Sequence, residues 1–246
     1  MDIYKEKFRI HSYQADINGK LQITAICNKL QEAAVGHVEV LGVGSGHLHE
    51  SGLLWVLSRF SVSIDQYPIV GDEIEIQTWI SSIRGPFSER EFYIYSQEGN
   101  LIGGASTLWF VLSEKTRKPQ KIGKMGENMP VFPDRKGVKN KPLKISSTKG
   151  AHFLKKIKIR YSDFDFNRHV NNVKYVEWVI DSNDVRRFGE QEIAEIDMNF
   201  IGETTENEDF IHLFYDEKSK TLDYHALRNS QGTEVFRMIT TWRKLN

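Results

Sequence analysis

One segment of the chain carries a high density of groups that could act on a carbonyl. Residues 161–178 read YSDFDFNRHVNNVKYVEW, with Asp165, Asn167 and His169 at alternate positions. Alternate side chains of an extended backbone point to one side, and an apolar run of helical spacing follows at once. An amide, an imidazole and the free N–H groups of a helix start can stabilise a developing oxyanion, while a carboxylate orients its neighbours. The segment therefore predicts a site that polarises a carbonyl.

A structural interpretation of the same segment is a capped helix with a satisfied histidine. A cap usually needs one Asn or Asp, whereas this segment holds Asp165, Asn167, Asn171 and Asn172 together with His169. The excess of polar groups over what capping requires favours a functional site.

Each half of the chain is predicted to place one helix among several strands. Residues 24–41 and 173–188 carry apolar side chains at helical spacing, and Gly42 and Gly189 follow them as stop signals. Runs rich in β-branched and aromatic residues predict strands at 8–13, 54–64, 72–80, 91–96, 105–112, 155–161, 192–200, 210–213, 221–227 and 234–242. One long helix wrapped by an antiparallel sheet is an α+β arrangement. Gly42, Gly44 and Gly46 predict a mobile loop after the first helix.

The two halves are copies of one pattern. Asp16-Ile17-Asn18 matches Asp165-Phe166-Asn167 at an offset of 149, and Gly99 and Trp109 match Gly232 and Trp242 at an offset of 133. The shrinking offset indicates shorter loops in the second copy of a duplicated fold. In the first copy Lys20 occupies the position equivalent to His169, and Gln66 is predicted to occupy the position equivalent to Glu203. We therefore expect one active site per chain, in the second copy.

Composition and charge narrow the class of protein. The chain has 246 residues, 39% hydrophobic, with a mean hydropathy of −0.46 and a single cysteine, Cys27. These values predict a globular protein without a membrane span or a disulfide framework, located in the cytoplasm. The net charge is zero, yet residues 114–160 hold fifteen Lys or Arg against three acidic residues. That basic stretch is either a solvated linker or a surface for an acidic partner.

Several segments together resemble a known family, the acyl-[acyl carrier protein] thioesterases. The motif of Asp, Asn and His at alternate positions followed by Val-Asn-Asn-x-x-Tyr is present at Asp165, Asn167, His169 and 170–175. Further similarity runs through QEAAVGH (31–37), WVLSR (55–59), PIVGDEIEIQTW (68–79) and TRKP (116–119). The resemblance implies a tandem (double) hot-dog fold, in which two antiparallel sheets each wrap one long helix and form a continuous pseudo-dimeric sheet. It implies an N-terminal domain at 1–125 with the substrate tunnel, a linker at 126–150 and a catalytic domain at 151–246.

The resemblance also implies an activity, the hydrolysis of fatty acyl-[acyl carrier protein] to free fatty acid and holo-acyl carrier protein in fatty acid biosynthesis. It adds Glu203 of NFIGET to the catalytic set Asp165, Asn167 and His169. Glu203 is expected to be the general base for water, with Asn167 and His169 donating to the carbonyl and Asp165 orienting them. Attack by the Glu203 carboxylate itself, through an anhydride, stays open. Plant members place a Cys after this Glu; Thr204 excludes a cysteine nucleophile there.

Other classes and partners are part of the same prediction. An acyl-CoA or aryl-CoA thioesterase would use the same catalytic atoms, and a non-catalytic acyl-binding hot-dog module would keep only the fold. Asn171 and Asn172 are candidate substrate-binding residues. Lys155, Lys156 and Lys158 are candidates for docking acyl carrier protein. No cofactor and no metal are expected, and a further homodimer is left open.

Overall fold

The computed structural model describes residues 3–123, 126, 129–138 and 142–245, with only the backbone described at Ser45. The chain divides into two compact units, Met1–Pro142 and Leu143–Asn246. No helix among the described residues is long and apolar enough to cross a membrane.

The described residues of the first unit form five strands and two α-helices of six or more residues. Its elements in chain order are β1 (Tyr4–Arg9), α1 (Ile23–Val40), α2 (Ser45–Glu50), β2 (Leu53–Ile64), β3 (Glu73–Arg84), β4 (Phe87–Tyr95) and β5 (Leu101–Ser113). The strands pair antiparallel in the order β1-β3-β4-β5-β2. Helix α1 buries a face of mostly small or apolar residues that includes Ile26, Leu30 and Ala33, which is why its hydrophobic spacing follows the helical period.

Over residues 143–245 the second unit repeats this topology with one α-helix. Its elements are β6 (His152–Lys158), α3 (Asn172–Ile180), β7 (Gln191–Phe200), β8 (Phe210–Ser219), β9 (Leu222–Arg228) and β10 (Glu234–Lys244). The antiparallel order is β6-β8-β9-β10-β7, the counterpart of the order in the first unit. Helices α1 and α3 begin at Ile23 and Asn172, which the offset of 149 relates. The duplicated α+β topology predicted from the sequence is present in both units.

Four local predictions are wrong. The strands expected at 8–13 and 155–161 lie three or four residues earlier, at Tyr4–Arg9 and His152–Lys158. The second helix was expected to continue to residue 188, but α3 ends at Ile180 because the Ser182 hydroxyl donates to the Val179 carbonyl oxygen and the Asn183 amide to those of Val179 and Ile180. The glycine-rich stretch after α1 was expected to be a mobile loop. It contains helix α2, which is anchored by the buried side chain of Leu48.

The described parts of the predicted linker pack within the unit to which each of them belongs. In the first unit, the Gly137 N–H donates to Glu91 Oε2 at 2.9 Å, and the Arg135 guanidinium lies 4.8 Å from the centre of the Trp79 ring. In the second unit, the side-chain amide of Asn199 bonds the main chain of residues 143 and 145 at 2.8 Å each. Lys124, Lys139 and Lys141 of the predicted basic stretch lie outside the described residues.

Candidate active site

A tight turn organised by Asp165 forms the first part of the site. Asp165 Oδ1 accepts the main-chain N–H of Asn167 at 2.8 Å and that of His169 at 3.2 Å. The turn closes through the main chain, where Asp165 N–H donates to the His169 carbonyl at 2.8 Å. Side chains of Asp that bond the backbone two residues on are a recurrent way to fix such turns. Asp165 therefore orients Asn167 and His169 through their main chain, and Asn167 is exposed.

Glu203 reaches this turn from the loop that follows β7. Its Oε2 lies 3.5 Å from His169 Nε2, and the two side chains are 34% and 32% exposed. The main chain supports this approach, because the Val170 N–H donates to the Thr204 carbonyl at 2.9 Å and His169 pairs with Thr205. A distance of 3.5 Å is long for a direct hydrogen bond, as is common at sites without a bound substrate. The structure brings together all four residues predicted to be catalytic.

Helix α3 contacts the loop of Glu203 through a tyrosine that we did not assign a role from the sequence. The Thr204 N–H donates to the Tyr175 hydroxyl at 3.1 Å, and both residues are buried. Burial raises the pKa of the Tyr175 phenol to about 12, with smaller contributions from the hydrogen bonding of Thr204, which lowers it, and from the charges of Glu203 and Asp165, which raise it. The phenol is therefore neutral at physiological pH. The only sequence signal for it was its place in the Val-Asn-Asn-x-x-Tyr motif.

The two asparagines predicted to bind substrate lie at the start of α3. Asn171 is the N-cap, and its side-chain oxygen accepts the Val173 N–H at 2.8 Å. Asn172 is the first helical residue and is half-buried. The Asn171 side-chain oxygen therefore has a structural role as the helix cap. The capping hydrogen bond does not involve the N–H groups of the same side-chain amide.

The three lysines predicted to dock a carrier protein do not lie on one face of β6. Lys156 and Lys158 are exposed on the same face, and the Lys156 ammonium lies 3.7 Å from the centre of the Phe210 ring. Lys155 points to the other face, where its ammonium donates to the carbonyl of Asp181, just past α3, at 3.2 Å. Of the three lysines, only Lys156 and Lys158 therefore share a face of β6.

The first unit repeats the turn but not the chemistry. Asp16 Oδ1 accepts the N–H groups of Asn18 and Lys20 at 2.8 and 3.0 Å, as Asp165 does for its own neighbours. The imidazole is replaced by Lys20. The prediction that Gln66 corresponds to Glu203 is wrong, because Leu21 bonds Pro68 as Val170 bonds Thr204, which makes Tyr67 the counterpart of Glu203. A one-residue difference in the following loop had shifted the alignment. Neither Lys20 nor Tyr67 supplies an imidazole or a carboxylate.

The remaining candidate groups add nothing to the site. Cys27 is fully buried in α1, and burial raises the pKa of its thiol to about 12. Within the part of the chain that the structure describes, no group of three or more His, Cys, Asp or Glu side chains is arranged to hold a metal ion.

Comparison with known proteins identifies the class to which this fold and site belong. The chain matches the acyl-ACP thioesterase N-terminal domain over residues 1–125 and the acyl-ACP thioesterase C-terminal domain over residues 146–244. The chain belongs to the acyl-ACP thioesterase family. Its fold is the double hot-dog fold of that family, as the resemblance implied.

Individual relatives are similar over the whole chain. It is 28% identical to a chloroplastic palmitoyl-acyl carrier protein thioesterase from Gossypium hirsutum, over 98% of this chain and 64% of the length of that enzyme. A solved acyl-ACP thioesterase from Bacteroides thetaiotaomicron superposes with a TM-score of 0.91 at 26% identity, covering 98% of each chain. A 12:0-ACP thioesterase from Umbellularia californica superposes with a TM-score of 0.87 at 25% identity, covering 99% of this chain and 98% of the other.

Proposed function

We propose that this chain hydrolyses the thioester of fatty acyl-[acyl carrier protein], releasing free fatty acid and holo-acyl carrier protein in fatty acid biosynthesis. The observation that carries the proposal is the approach of Glu203 Oε2 to His169 Nε2 at 3.5 Å, beside the turn organised by Asp165. Membership of the acyl-ACP thioesterase family supports the choice of acyl donor.

In this mechanism Glu203 is the general base. Its carboxylate takes a proton from a water molecule as the water oxygen bonds to the thioester carbonyl carbon. The carbonyl oxygen, which becomes negative, receives hydrogen bonds from the Asn167 amide and the His169 imidazole. Asp165 keeps both donors in place through their main-chain N–H groups. When the C–S bond breaks, the thiolate leaves readily because a thiol has a pKa near 8.5, and it then receives the proton held by Glu203.

Replacement of Glu203 by Gln tests the base. Gln keeps the shape of the side chain and removes the proton acceptor, so kcat should fall by about 10²-fold or more without loss of the fold. Glu206→Gln is a matched control, since Glu206 is an exposed carboxylate three residues further on. Steady-state release of free thiol measures both. Equal activity of Glu203→Gln and the control would show that Glu203 is not the base.

The acyl donor is tested by comparing acyl carrier protein and CoA thioesters of the same acyl chain. We expect a higher kcat/KM for the carrier-protein substrate. A preference for the CoA substrate would favour the acyl-CoA thioesterase alternative. Binding of both without thiol release would favour a non-catalytic acyl-binding module.

We also propose that Lys156 and Lys158 on β6 contribute to docking of the acidic carrier protein. Charge reversal of both should raise KM for acyl carrier protein several-fold and more than for a CoA thioester, and added salt should weaken the difference. The matched control is reversal of Lys7 and Arg9, which the offset of 149 places at the equivalent positions of edge strand β1. An equal effect of the two pairs would contradict the docking role.

The proposal also assigns different roles to the two units, acyl-chain binding to the first and catalysis to the second. The unit without the catalytic set, whose first 125 residues match the N-terminal family domain, would hold the acyl chain. The buried face of α1 includes the small side chains of Ala25, Ala33 and Ala34, and burial of each CH₂ of an acyl chain would stabilise binding by about 0.8 kcal/mol. A cytoplasmic location is consistent with the single, fully buried cysteine. A homodimer stays a prediction that sedimentation would test.

A further inference from the structure

Thr204 joins the two parts of the site through its main chain. Its carbonyl accepts the N–H of Val170, the residue after His169, at 2.9 Å, and its own N–H donates to the Tyr175 hydroxyl at 3.1 Å. Glu203 is the residue immediately before it. The position of the Glu203 carboxylate relative to the imidazole therefore depends on where these two bonds hold the Thr204 peptide.

The Tyr175 ring is fixed by its neighbours. It stacks on Phe236 at 5.4 Å between ring centres with an interplanar angle of 19°, and it meets Trp178 and Phe200 edge-on at 5.6 and 6.3 Å. A side chain packed in this way holds its hydroxyl group at one place. The acceptor of the Thr204 N–H is thus a rigid point on helix α3.

The first unit keeps the counterpart of the bond to the Thr204 carbonyl. It has neither the donor nor the acceptor of the bond between the Thr204 N–H and the Tyr175 hydroxyl. There the Leu21 N–H donates to the Pro68 carbonyl at 2.8 Å, as Val170 does to Thr204. Pro68 has no N–H to donate, and the offset of 149 places Ile26 at the position of Tyr175. Both partners of the tyrosine bond are absent from the copy that also lacks the catalytic base and the imidazole.

From this comparison we infer that Tyr175 is a positioning residue, which holds the Thr204 peptide so that the Glu203 carboxylate lies against His169. The inference rests on the proposed function, in which Glu203 is the base. A misplacement of a catalytic group by about 1 Å can cost about 10²-fold in rate. Loss of the tyrosine bond, one of the two bonds that hold the Thr204 peptide, should lower the rate by part of that factor.

The primary test is Tyr175→Phe, which keeps the ring and removes the hydroxyl. We expect kcat for acyl-[acyl carrier protein] to fall about 10-fold while KM stays within about twofold, because substrate binding does not use the phenol. The matched control is Tyr224→Phe, which removes another buried phenol of the same unit from a separate cluster with Ile145 and Ala226. The control should leave kcat and KM unchanged. Wild-type kcat in Tyr175→Phe would overturn the inference.

A second variant removes the same bond from its other side. Thr204→Pro takes away the N–H, and the first unit shows that proline is compatible with the carbonyl bond at this position. It should lower kcat by the same factor as Tyr175→Phe, and the double variant should be no slower than either single variant. Losses that multiply in the double variant would overturn the inference. If one single variant fails to fold, the other still decides.

The Glu203→Gln background separates this inference from the proposed function. If Glu203 is the base, Glu203→Gln is nearly inactive and Tyr175→Phe lowers its residual kcat by less than about twofold, because the group that Tyr175 positions has gone. A further 10-fold loss in that background would overturn the positioning role and leave the base assignment intact. Full activity of Glu203→Gln would overturn the base assignment, whatever Tyr175→Phe does.

Discussion

At the scale of single residues, Arg168 has a backbone conformation that the first copy gives to glycine. Its φ is +61°, and Gly19, at the equivalent position of the other turn, has φ +73°. A side chain in the left-handed region costs about 1 kcal/mol or more, and such residues cluster at functional sites. Arg168 stands between Asn167 and His169, with an exposed guanidinium 3.4 Å from Glu206. The strain is therefore located in the turn that carries the catalytic donors.

Arg168→Gly should change stability and activity in opposite directions. Relief of the left-handed conformation should raise the free energy of unfolding by up to about 1 kcal/mol, partly offset by the greater freedom of glycine in the unfolded chain. Loss of a cation beside the site should lower kcat/KM for the acidic carrier-protein substrate several-fold. Denaturant unfolding and steady-state kinetics measure the two effects.

Arg117→Gly is the matched control, because Arg117 has φ +53° in a loop of the first unit. It should raise stability to a similar extent and leave kcat/KM unchanged. A loss of stability in Arg168→Gly would contradict the assignment of strain at this position.

At the scale of elements, the same strand, turn and helix are used twice for different purposes. In both units the main-chain N–H of the first residue of the turn donates to the side chain three residues later. The His11 N–H donates to Gln14 at 3.1 Å, and the Arg160 N–H donates to Asp163 at 2.7 Å. The following Asp then organises the loop that leads into the helix. These bonds satisfy main-chain groups at the entrance to α1 and α3. They stabilise both copies, whether or not a substrate binds.

The Asp16→Ala and Asp165→Ala variants should separate this structural role from the catalytic one. Each removes a carboxylate that accepts two main-chain N–H groups, so each should lower the free energy of unfolding by about 1 to 2 kcal/mol. Asp16→Ala should keep most of kcat. Asp165→Ala should lower kcat by about 10²-fold or more, since Asn167 and His169 lose their orientation. Similar kcat losses in both would show that the first copy also takes part in the chemistry.

At the scale of the whole molecule, the two units bury different polar groups at equivalent positions of their sheets. Thr78 pairs with Phe92 in the first unit, and Tyr215 pairs with His225 in the second. Arg90, two positions before Phe92, contacts His37 at 2.8 Å. At the equivalent position of the second unit, two before His225, Asp223 accepts hydrogen bonds from Arg187 at 2.6 Å and from Trp242 at 2.7 Å. Duplication preserved the backbone, while each core acquired its own set of polar partners.

His225 should make the second unit sensitive to acid. Burial lowers the pKa of this imidazole to about 4, an effect to which Arg187 adds and which Asp223 opposes. The folded state therefore favours the neutral ring. Its contribution to stability is complete above the unfolded pKa of about 6.5 and is lost as the pH falls from there toward 4, a loss of about 3 kcal/mol in total.

His225→Phe, which introduces the residue found at the equivalent position of the first unit, should remove this dependence. Between pH 7 and 4.5, its free energy of unfolding should fall by about 2 kcal/mol less than that of the wild type, as measured by denaturant titration at each pH. Parallel pH profiles of the two proteins would show that His225 is not the titrating group.

The sequence by itself determined the features that depend on neighbours along the chain. The recurrence of Asp165 and Asn167 at Asp16 and Asn18 marked the same local feature in both copies. The alternation was interpreted as extended backbone, whereas the structure has a turn whose bonds span only five residues. Hydrophobic spacing likewise predicted the start of both long helices and most strands, because local periodicity reports which face is buried.

Tertiary structure decided what depends on the register between distant segments. The contact between Glu203 and His169 rests on the pairing of Val170 with Thr204, and the same pairing in the first unit shows that Tyr67, not Gln66, is the counterpart of Glu203. A shift of one residue in a strand moves every side chain to the opposite face, so these placements could not be derived from spacing alone.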